Sequence, residues 1–190
     1  MRGYFGIGVE GLSKPMNAGN LFRSAHAFGA SFIFTIAPQF DYRRVRHADT
    51  SFAPKEVPLH EFDAVDDLML PSGCRLVGIE LTDDAVSLPS FHHPRQAAYV
   101  LGPERGSLSP HLLELCDYVV KIPTAFCINV ATAGAIVMYD RMMALGRHAE
   151  RPLMEGAEPL PLTKHVAGAP RRRRDPNAAA RSQVRVRVPD

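Results

Sequence analysis

The first 150 residues alternate short runs of β-branched and aromatic residues with longer amphipathic segments, and this alternation restricts the fold more than any other feature. It is typical of an α/β domain with a largely parallel sheet, because each parallel strand needs a crossover that a helix usually supplies. The predicted strands are Tyr4 to Val9, Phe32 to Ile36, Arg75 to Leu81, Ala97 to Leu101 and Tyr118 to Ile122. The predicted helices are Asn17 to Phe28, Phe62 to Leu70, Pro110 to Leu115 and Val130 to Leu145, with Gly29 and Gly146 as stops. Residues 38–58 have no clear period and are predicted to form a long irregular connection.

The last forty residues differ from the rest in composition. Residues 151–190 contain nine Lys and Arg against four Asp and Glu, six of the 16 prolines, and none of the Phe or Tyr residues. Residues 1–150 contain 13 basic against 16 acidic residues. A segment without aromatic residues has little with which to build a core. We therefore predict a folded domain over residues 1–150 and a disordered basic tail over residues 151–190.

Several classes of protein are excluded by simple counts. No apolar run approaches the roughly 18 residues that a membrane helix needs, and the first residues lack a signal peptide's apolar stretch, which predicts a cytoplasmic protein. The chain has three cysteines, an odd number, and none of them forms a C-x-x-C pair: Cys74, Cys116 and Cys127. The eight histidines show no H-x-x-x-H or similar spacing of metal ligands. Neither a disulfide framework nor a metal site is therefore expected.

The segment Gly6 to Gly11 fits the dinucleotide-binding pattern G-x-G-x-x-G literally. That pattern needs a strand before its first glycine and a carboxylate about 20 residues later. Here the alternation of Phe5, Ile7 and Val9 makes the motif itself the strand, and no Asp or Glu occurs in residues 12–40. The sequence therefore favours a strand over a dinucleotide site.

Three polar blocks each follow a predicted strand, at the carboxyl edge where open α/β sheets bind ligands. The first block, residues 17–29, contains Asn17 and Arg23. Without the other blocks, Asn17 would be explained as a helix N-cap and Arg23 as a solvent-exposed charge. The second, residues 101–109, is a Gly and Pro turn that contains Glu104. The third, residues 122–135, breaks at a proline and enters a helix rich in small residues.

Together, in this order and spacing, the blocks resemble the three motifs of the SpoU-type branch, or TrmH family, of the SPOUT RNA methyltransferases, over about residues 4–147. Members of that family transfer a methyl group from S-adenosylmethionine to a ribose 2′-hydroxyl of tRNA or rRNA without a metal ion. One departure is Cys127, where the family usually has serine, on a loop that is shorter by about two residues. Cys127 is therefore either a cofactor neighbour or a small buried core residue.

The resemblance implies a fold and a set of site residues. It implies a SPOUT-type parallel sheet whose C-terminal part is tied into a deep trefoil knot, working as a homodimer with Arg23 near the subunit boundary. Small residues of the last helix are expected to pack close across the dimer: Ala131, Ala133, Gly134 and Ala135. The implied cofactor neighbours are Leu101, Gly102, Ile122 and Cys127, and the implied catalytic residues are Arg23, Asn17, Glu104 and Asn129. The expected RNA contacts are Arg23, Arg43, Arg44, Arg46, Arg171, Arg172, Arg173 and Arg174.

Two other functions are compatible with parts of the sequence. Cys127 and the shortened loop allow a SPOUT-fold protein that binds RNA but has weakened catalysis. A cysteine hydrolase that uses Cys127 and a histidine lacks any local nucleophile signature. Because little chain precedes the first motif, we expect tRNA as substrate more than rRNA.

Overall fold

The computed structural model describes residues 3–40, 45, 56–146 and 148–162, and these form a parallel α/β fold. The strands are β1 (Tyr4–Glu10), β2 (Phe32–Ile36), β3 (Leu59–Phe62), β4 (Arg75–Ile79), β5 (Val86–Ser87), β6 (Gln96–Leu101) and β7 (Tyr118–Lys121). The helices are α1 (Pro15–Ala27), α2 (Pro110–Leu115) and α3 (Val130–Leu145). The predicted parallel sheet is therefore confirmed.

All seven strands lie in one sheet, in the order β3-β2-β1-β6-β4-β7-β5, and every pair is parallel. From β1 the chain adds β2 and β3 on one side and then places the four remaining strands on the other side. The direction of winding thus changes between β1 and β6. In open parallel sheets, the crevice beyond such a switch point is the usual ligand site.

One face of the sheet is covered by α1 and α3, which pack on each other and on β1. Gly134 of α3 makes this possible, because a Cβ there would lie 2.3 Å from the Leu21 side chain of α1. Ala131 and Ala133 are buried in the same core. The expectation that Ala131, Ala133 and Gly134 face a second subunit is wrong, since they pack within their own chain, whereas Ala135 is only half-buried.

The other face is covered by α2 and by a 3-10 turn at Val65–Asp67, over a core that includes Phe34, Val100 and Leu112. The predicted helix over Phe62–Leu70 is wrong. Phe62 instead ends the edge strand β3, and the side chain of Asp67 accepts a hydrogen bond from Ala64 N (3.1 Å), which closes a tight turn.

A buried polar network holds the second half of α3 to the amino edge of the sheet. Arg141 is fully buried and donates to Tyr99 Oη (3.0 Å) and to the carbonyl oxygens of Arg95 (2.8 Å) and Tyr4 (3.2 Å). Tyr99 Oη also bonds His93 Nδ1 (2.6 Å). Burial raises the pKa of Tyr99 to about 12, so the hydroxyl stays protonated. Burial also lowers the pKa of His93, and because its Nε2–H donates to Asp140 Oδ2 (2.9 Å), the neutral ring accepts a hydrogen bond from Tyr99 at Nδ1. We call these groups the amino-edge network.

The chain divides into two compact units between residues 147 and 148. In the second unit the structure describes residues 148–162, which form neither helix nor strand. The predicted tail residues Arg171 to Arg174, and Arg43, Arg44 and Arg46 of the long connection, lie outside the described residues. No helix among the described residues is long and apolar enough to cross a membrane.

Candidate active site at the carboxyl edge

A cavity of about 410 Å³ lies beyond the carboxyl ends of β4, β6 and β7. Its apolar wall includes Ile79, Leu101 and Ile122, each at or just beyond the end of one of these strands. All four predicted cofactor neighbours and the predicted residues Asn17, Glu104 and Asn129 line it: Leu101, Gly102, Ile122, Cys127, Asn17, Glu104 and Asn129. The three sequence blocks therefore meet at one cavity.

A chain of side-chain hydrogen bonds joins the three blocks. Asn129 Nδ2 donates to Asn17 Oδ1 (3.0 Å), and Asn17 Nδ2 donates to Glu104 Oε1 (2.9 Å). The bonded residues are 112 and 87 positions apart in the sequence. One residue from each block is thus needed to complete this chain.

Glu104 stabilises the first turn of α1 from a distant loop. The N-cap residue Lys14 makes no side-chain cap, and no acidic residue lies in the helix's first turn. Glu104 instead accepts hydrogen bonds from Ser13 N (3.2 Å), Ser13 Oγ (3.1 Å) and Lys14 N (2.9 Å). A carboxylate at this position also interacts favourably with the helix dipole.

These hydrogen bonds decide the protonation state of Glu104. Burial opposes ionisation, but hydrogen bonds from its own backbone, from Asn17 and from the backbone N–H groups of Ser13 and Lys14 outweigh burial and lower its pKa. Glu104 is therefore a carboxylate at neutral pH. A low pKa makes it a poor general base.

The two asparagines differ in their helical positions. The expectation that Asn17 acts as an N-cap is wrong, because α1 begins at Pro15 and Asn17 lies buried in its first turn. Proline is favoured at the first helical position, where its missing N–H costs nothing. Asn129 is the N-cap of α3, and its Oδ1 accepts from Ala131 N (2.9 Å) and Thr132 N (3.3 Å).

The loop after β6 is held in a tight fold beside the cavity. At Gly102 a Cβ would lie 3.0 Å from Leu108 N, so a side chain would crowd the backbone of this loop. Glu80 Oε2 accepts from Leu108 N (2.8 Å), and Glu10 Oε2 accepts from Ser109 N (2.7 Å). Sequence analysis missed Glu10 and Glu80, although a carboxylate at the end of an apolar strand is the signal that would have indicated them.

Cys127 is exposed and lines the cavity. The alternative that it is a buried core residue is wrong. Among the described residues that line this cavity there is no histidine, so a cysteine hydrolase would lack its base there. The described residues also contain no group of three or more potential ligands that could hold a metal ion.

Arg23 lies apart from this cluster. It is exposed on α1, seven residues after the exposed Met16, and the two therefore share the outer face of the helix. It is not among the described residues that line the cavity. Of the expected catalytic residues, the structure brings together Asn17, Glu104 and Asn129 and leaves Arg23 on an outer surface.

The sequence profile of the SpoU rRNA Methylase family matches residues 5–139, which is more than half of the chain. The chain belongs to this family. A mouse relative, the tRNA (guanosine(18)-2′-O)-methyltransferase TARBP1, is 29% identical in an alignment of 147 positions that covers 71% of this chain and 9% of that protein. The tRNA (guanosine(18)-2′-O)-methyltransferase of Escherichia coli K12 is 26% identical in an alignment of 138 positions that covers 70% of this chain and 60% of that protein.

A solved structure of the same family shows that the fold is shared. The SpoU methyltransferase AviRb from Streptomyces viridochromogenes, in complex with the cofactor AdoMet, superposes with a TM-score of 0.67 at 23% identity. The match covers 77% of this chain and 60% of AviRb. The present chain thus spans less than two thirds of the length of each of these relatives.

Proposed function

We propose that this SpoU-family chain transfers a methyl group from S-adenosylmethionine to a ribose 2′-hydroxyl of RNA. The observation that carries the proposal is the cavity whose walls come from all three motif blocks, joined through Glu104, Asn17 and Asn129. The mouse and E. coli relatives are named as tRNA 2′-O-methyltransferases, which supports the same reaction here.

The residues that line the cavity suit this cofactor. Its volume lies in the range of sites that hold drug-sized ligands. Ile79, Leu101 and Ile122 would hold an apolar part of the cofactor, while Glu80 and the ionised Glu104 would favour its cationic part. When bound, the cofactor supplies a methyl group activated by a sulfonium cation.

The chain's own residues must lower the cost of ionising a ribose hydroxyl. That hydroxyl ionises roughly six units above neutral pH, so a free alkoxide costs about 8 kcal/mol. We assign Arg23 to the neighbouring phosphate and to the developing negative charge, because a guanidinium is always protonated and is a poor base. Asn17, Glu104 and Asn129 fix the loops that orient the ribose, and the proton leaves through a phosphate oxygen or water.

Arg23 can serve this role if the protein is a homodimer. Met16 on α1, and Ile136 and Tyr139 on α3, are exposed apolar side chains on two helices that pack together. Burial of such a patch against a second copy would stabilise a symmetric dimer and would place Arg23 of α1 near the subunit boundary. Light scattering should give twice the chain mass, and I136D/Y139D should give the monomer mass with much lower methyl transfer.

The resemblance supports two finer features of the fold. We propose that the segment from the second motif to α3 forms a deep trefoil knot, since the loops after β6 and β7 share one cavity with the start of α3. We also propose that residues 151–190 provide basic side chains that, with Arg43, Arg44 and Arg46, bind RNA phosphates. Removing residues 151–190 should flatten the dependence of log affinity on log salt by about 0.7 to 0.9 for each phosphate that these side chains neutralise.

We propose tRNA rather than rRNA as the substrate, with the cytoplasm as the compartment. Nucleoside mass spectrometry of RNA from cells with and without the gene tests the proposed function, and we expect one 2′-O-methylated nucleoside of tRNA to disappear. Cells that carry only Arg23→Ala should give the same loss. If no methylated nucleoside changes while the purified chain still binds RNA, the protein is a SPOUT-fold RNA-binding protein without transferase activity.

A further inference from the structure

Two carboxylates are among the described residues that line the carboxyl-edge cavity. Glu104 belongs to the loop after β6, whereas Glu80 directly follows β4. Glu80 lies outside the three sequence blocks, and no motif indicated it. The two side chains differ in how many of their acceptor positions are occupied, and this difference shows which of them can bind a ligand.

The acceptor positions of Glu104 are occupied by its own chain. A carboxylate accepts hydrogen bonds at about four positions. Oε1 of Glu104 accepts from Lys14 N (2.9 Å) and Asn17 Nδ2 (2.9 Å), and Oε2 accepts from Ser13 N (3.2 Å) and Ser13 Oγ (3.1 Å). The bonding capacity of Glu104 is therefore used to hold the start of α1.

Glu80 keeps part of its acceptor capacity. Its Oε1 accepts from Leu81 N (2.9 Å) and its Oε2 from Leu108 N (2.8 Å), which leaves about two acceptor positions open. Among the described residues, no Lys, Arg or His forms an ion pair with Glu80. A half-buried carboxylate without a cationic partner is unfavourable, so Glu80 favours a cation in the cavity.

The Glu80 carboxylate is held beside the loop that the cofactor is expected to contact. Glu80 N donates to Val120 O (3.0 Å), which fixes its backbone to β7. A Cβ on Gly102 would lie 3.7 Å from Glu80 Oε2, so the bare backbone of Gly102 leaves space next to the carboxylate. A ligand that lies against Gly102 is therefore a neighbour of Glu80.

We propose that Glu80 binds a cationic centre of S-adenosylmethionine. Two centres of this cofactor are cationic, the sulfonium and the α-ammonium group. An ammonium group would donate hydrogen bonds to the open acceptor positions, whereas a sulfonium would be attracted by the negative charge. The proposal rests on the proposed function, because it needs this cofactor in the cavity. Contact with the sulfonium would also favour the cofactor over S-adenosylhomocysteine, the product of methyl transfer, whose sulfur is uncharged.

Calorimetric titration of the full chain with three ligands tests the proposal and identifies the centre. S-adenosylmethionine has both cationic centres, S-adenosylhomocysteine has only the ammonium group, and 5′-methylthioadenosine has neither. Glu80→Gln should weaken binding of S-adenosylmethionine roughly 10- to 100-fold, the range for losing a hydrogen bond to a charged group. Binding of 5′-methylthioadenosine should stay unchanged. S-adenosylhomocysteine should lose as much affinity as S-adenosylmethionine if Glu80 contacts the ammonium group, and none if Glu80 contacts the sulfonium.

Asp83→Asn is the matched control. It removes the same charge three residues along the chain, at an exposed position outside the cavity lining, and should leave the affinity for all three ligands unchanged. If Glu80→Gln fails to fold, the amide NMR signals of Leu81 and Leu108 in the wild-type chain provide the test. Saturating S-adenosylmethionine should shift these two signals more than saturating 5′-methylthioadenosine does, and equal shifts would contradict the proposal.

Two results with Glu80→Gln overturn the proposal. An equal loss of affinity for 5′-methylthioadenosine would mean that Glu80 only positions the loop through Leu108 N. An unchanged affinity for S-adenosylmethionine would mean that Glu80 has no role in binding. Either result leaves the proposed function standing, provided that the wild-type chain binds S-adenosylmethionine. A wild-type chain that binds none of the three ligands overturns both.

Discussion

The two edges of the sheet both hold polar networks, yet only one has the features of an active site. At the amino edge, Arg141, Tyr99 and His93 are almost completely buried and bond one another or nearby carbonyl groups. At the carboxyl edge, Asn17, Glu104 and Asn129 bond one another and also line a cavity. Access to a ligand, rather than buried polarity, therefore distinguishes the site.

The pKa shifts support the same distinction. Burial lowers the pKa of His93, in spite of its contact with Asp140, and raises that of Tyr99. Strongly shifted pKa values often indicate active sites, but structural networks cause them as well. Here the amino-edge network links α3 to β1 and β6. The carboxyl-edge network instead holds loops around a cavity that a ligand can enter.

The largest expected effect is at the amino edge. Arg141→Met should lower the free energy of unfolding by about 3 to 5 kcal/mol, because the four polar groups around the missing guanidinium stay buried with fewer partners. Urea unfolding measures this change. The matched variant Arg95→Met, whose side chain is exposed at the same edge, should change stability by less than about 0.5 kcal/mol. Equal effects of the two variants would mean that the network contributes little.

A smaller loss of stability is expected at the carboxyl edge. Glu104→Gln should cost about 1 to 3 kcal/mol, because an amide cannot accept all the hydrogen bonds from Ser13, Lys14 and Asn17. Glu114→Gln, at an exposed position of α2, is the control and should be close to neutral.

The Glu104 effect should also depend on pH. Because its pKa is lower in the folded state, its contribution to stability is complete above the unfolded pKa of about 4.3 and is lost as the pH falls through the folded pKa. The difference in unfolding free energy between wild type and Glu104→Gln should therefore shrink from pH 7 to about pH 3. A difference that stays constant over this range would contradict the assignment of an ionised, hydrogen-bonded Glu104.

The smallest effect is expected at Cys127. Its thiol is exposed at the cavity, so Cys127→Ser should change stability by less than about 0.5 kcal/mol and leave methyl transfer within about twofold. Unfolding curves and initial rates measure the two quantities. A large loss of rate would show that the thiol has a role that a hydroxyl cannot fill.

Sequence periodicity was sufficient for β1, β2, β4, β6 and β7 and for α1, α2 and α3. It failed for β5, since a two-residue strand carries too few residues to show a period. It also failed for the edge strand β3, whose sequence Leu-His-Glu-Phe contains no β-branched residue. The apolar spacing of the segment after β3 suggested a helix. The segment forms a tight turn instead, because Asp67 accepts a hydrogen bond from Ala64 N.

The candidate site was recognised through the family resemblance, and its geometry needed the structure. Nothing in local spacing shows that Glu104 stabilises the start of α1, because this interaction spans 90 residues. Arg141 lies in a helix, where an arginine usually faces solvent, and only the fold reveals that it is fully buried. Long-range polar interactions of this kind are invisible to pattern analysis.

Calorimetric titration of the full chain with S-adenosylmethionine tests the central claim, that the carboxyl-edge cavity is the cofactor site. We expect one cofactor per chain, and at 100 times the dissociation constant an added stability of about 2.7 kcal/mol. Gly102→Val should weaken the binding heat strongly, because its side chain would crowd Leu108 N and the cavity wall, whereas Arg95→Ala should leave it unchanged. No heat and no thermal stabilisation of the wild-type chain at millimolar cofactor would contradict the account.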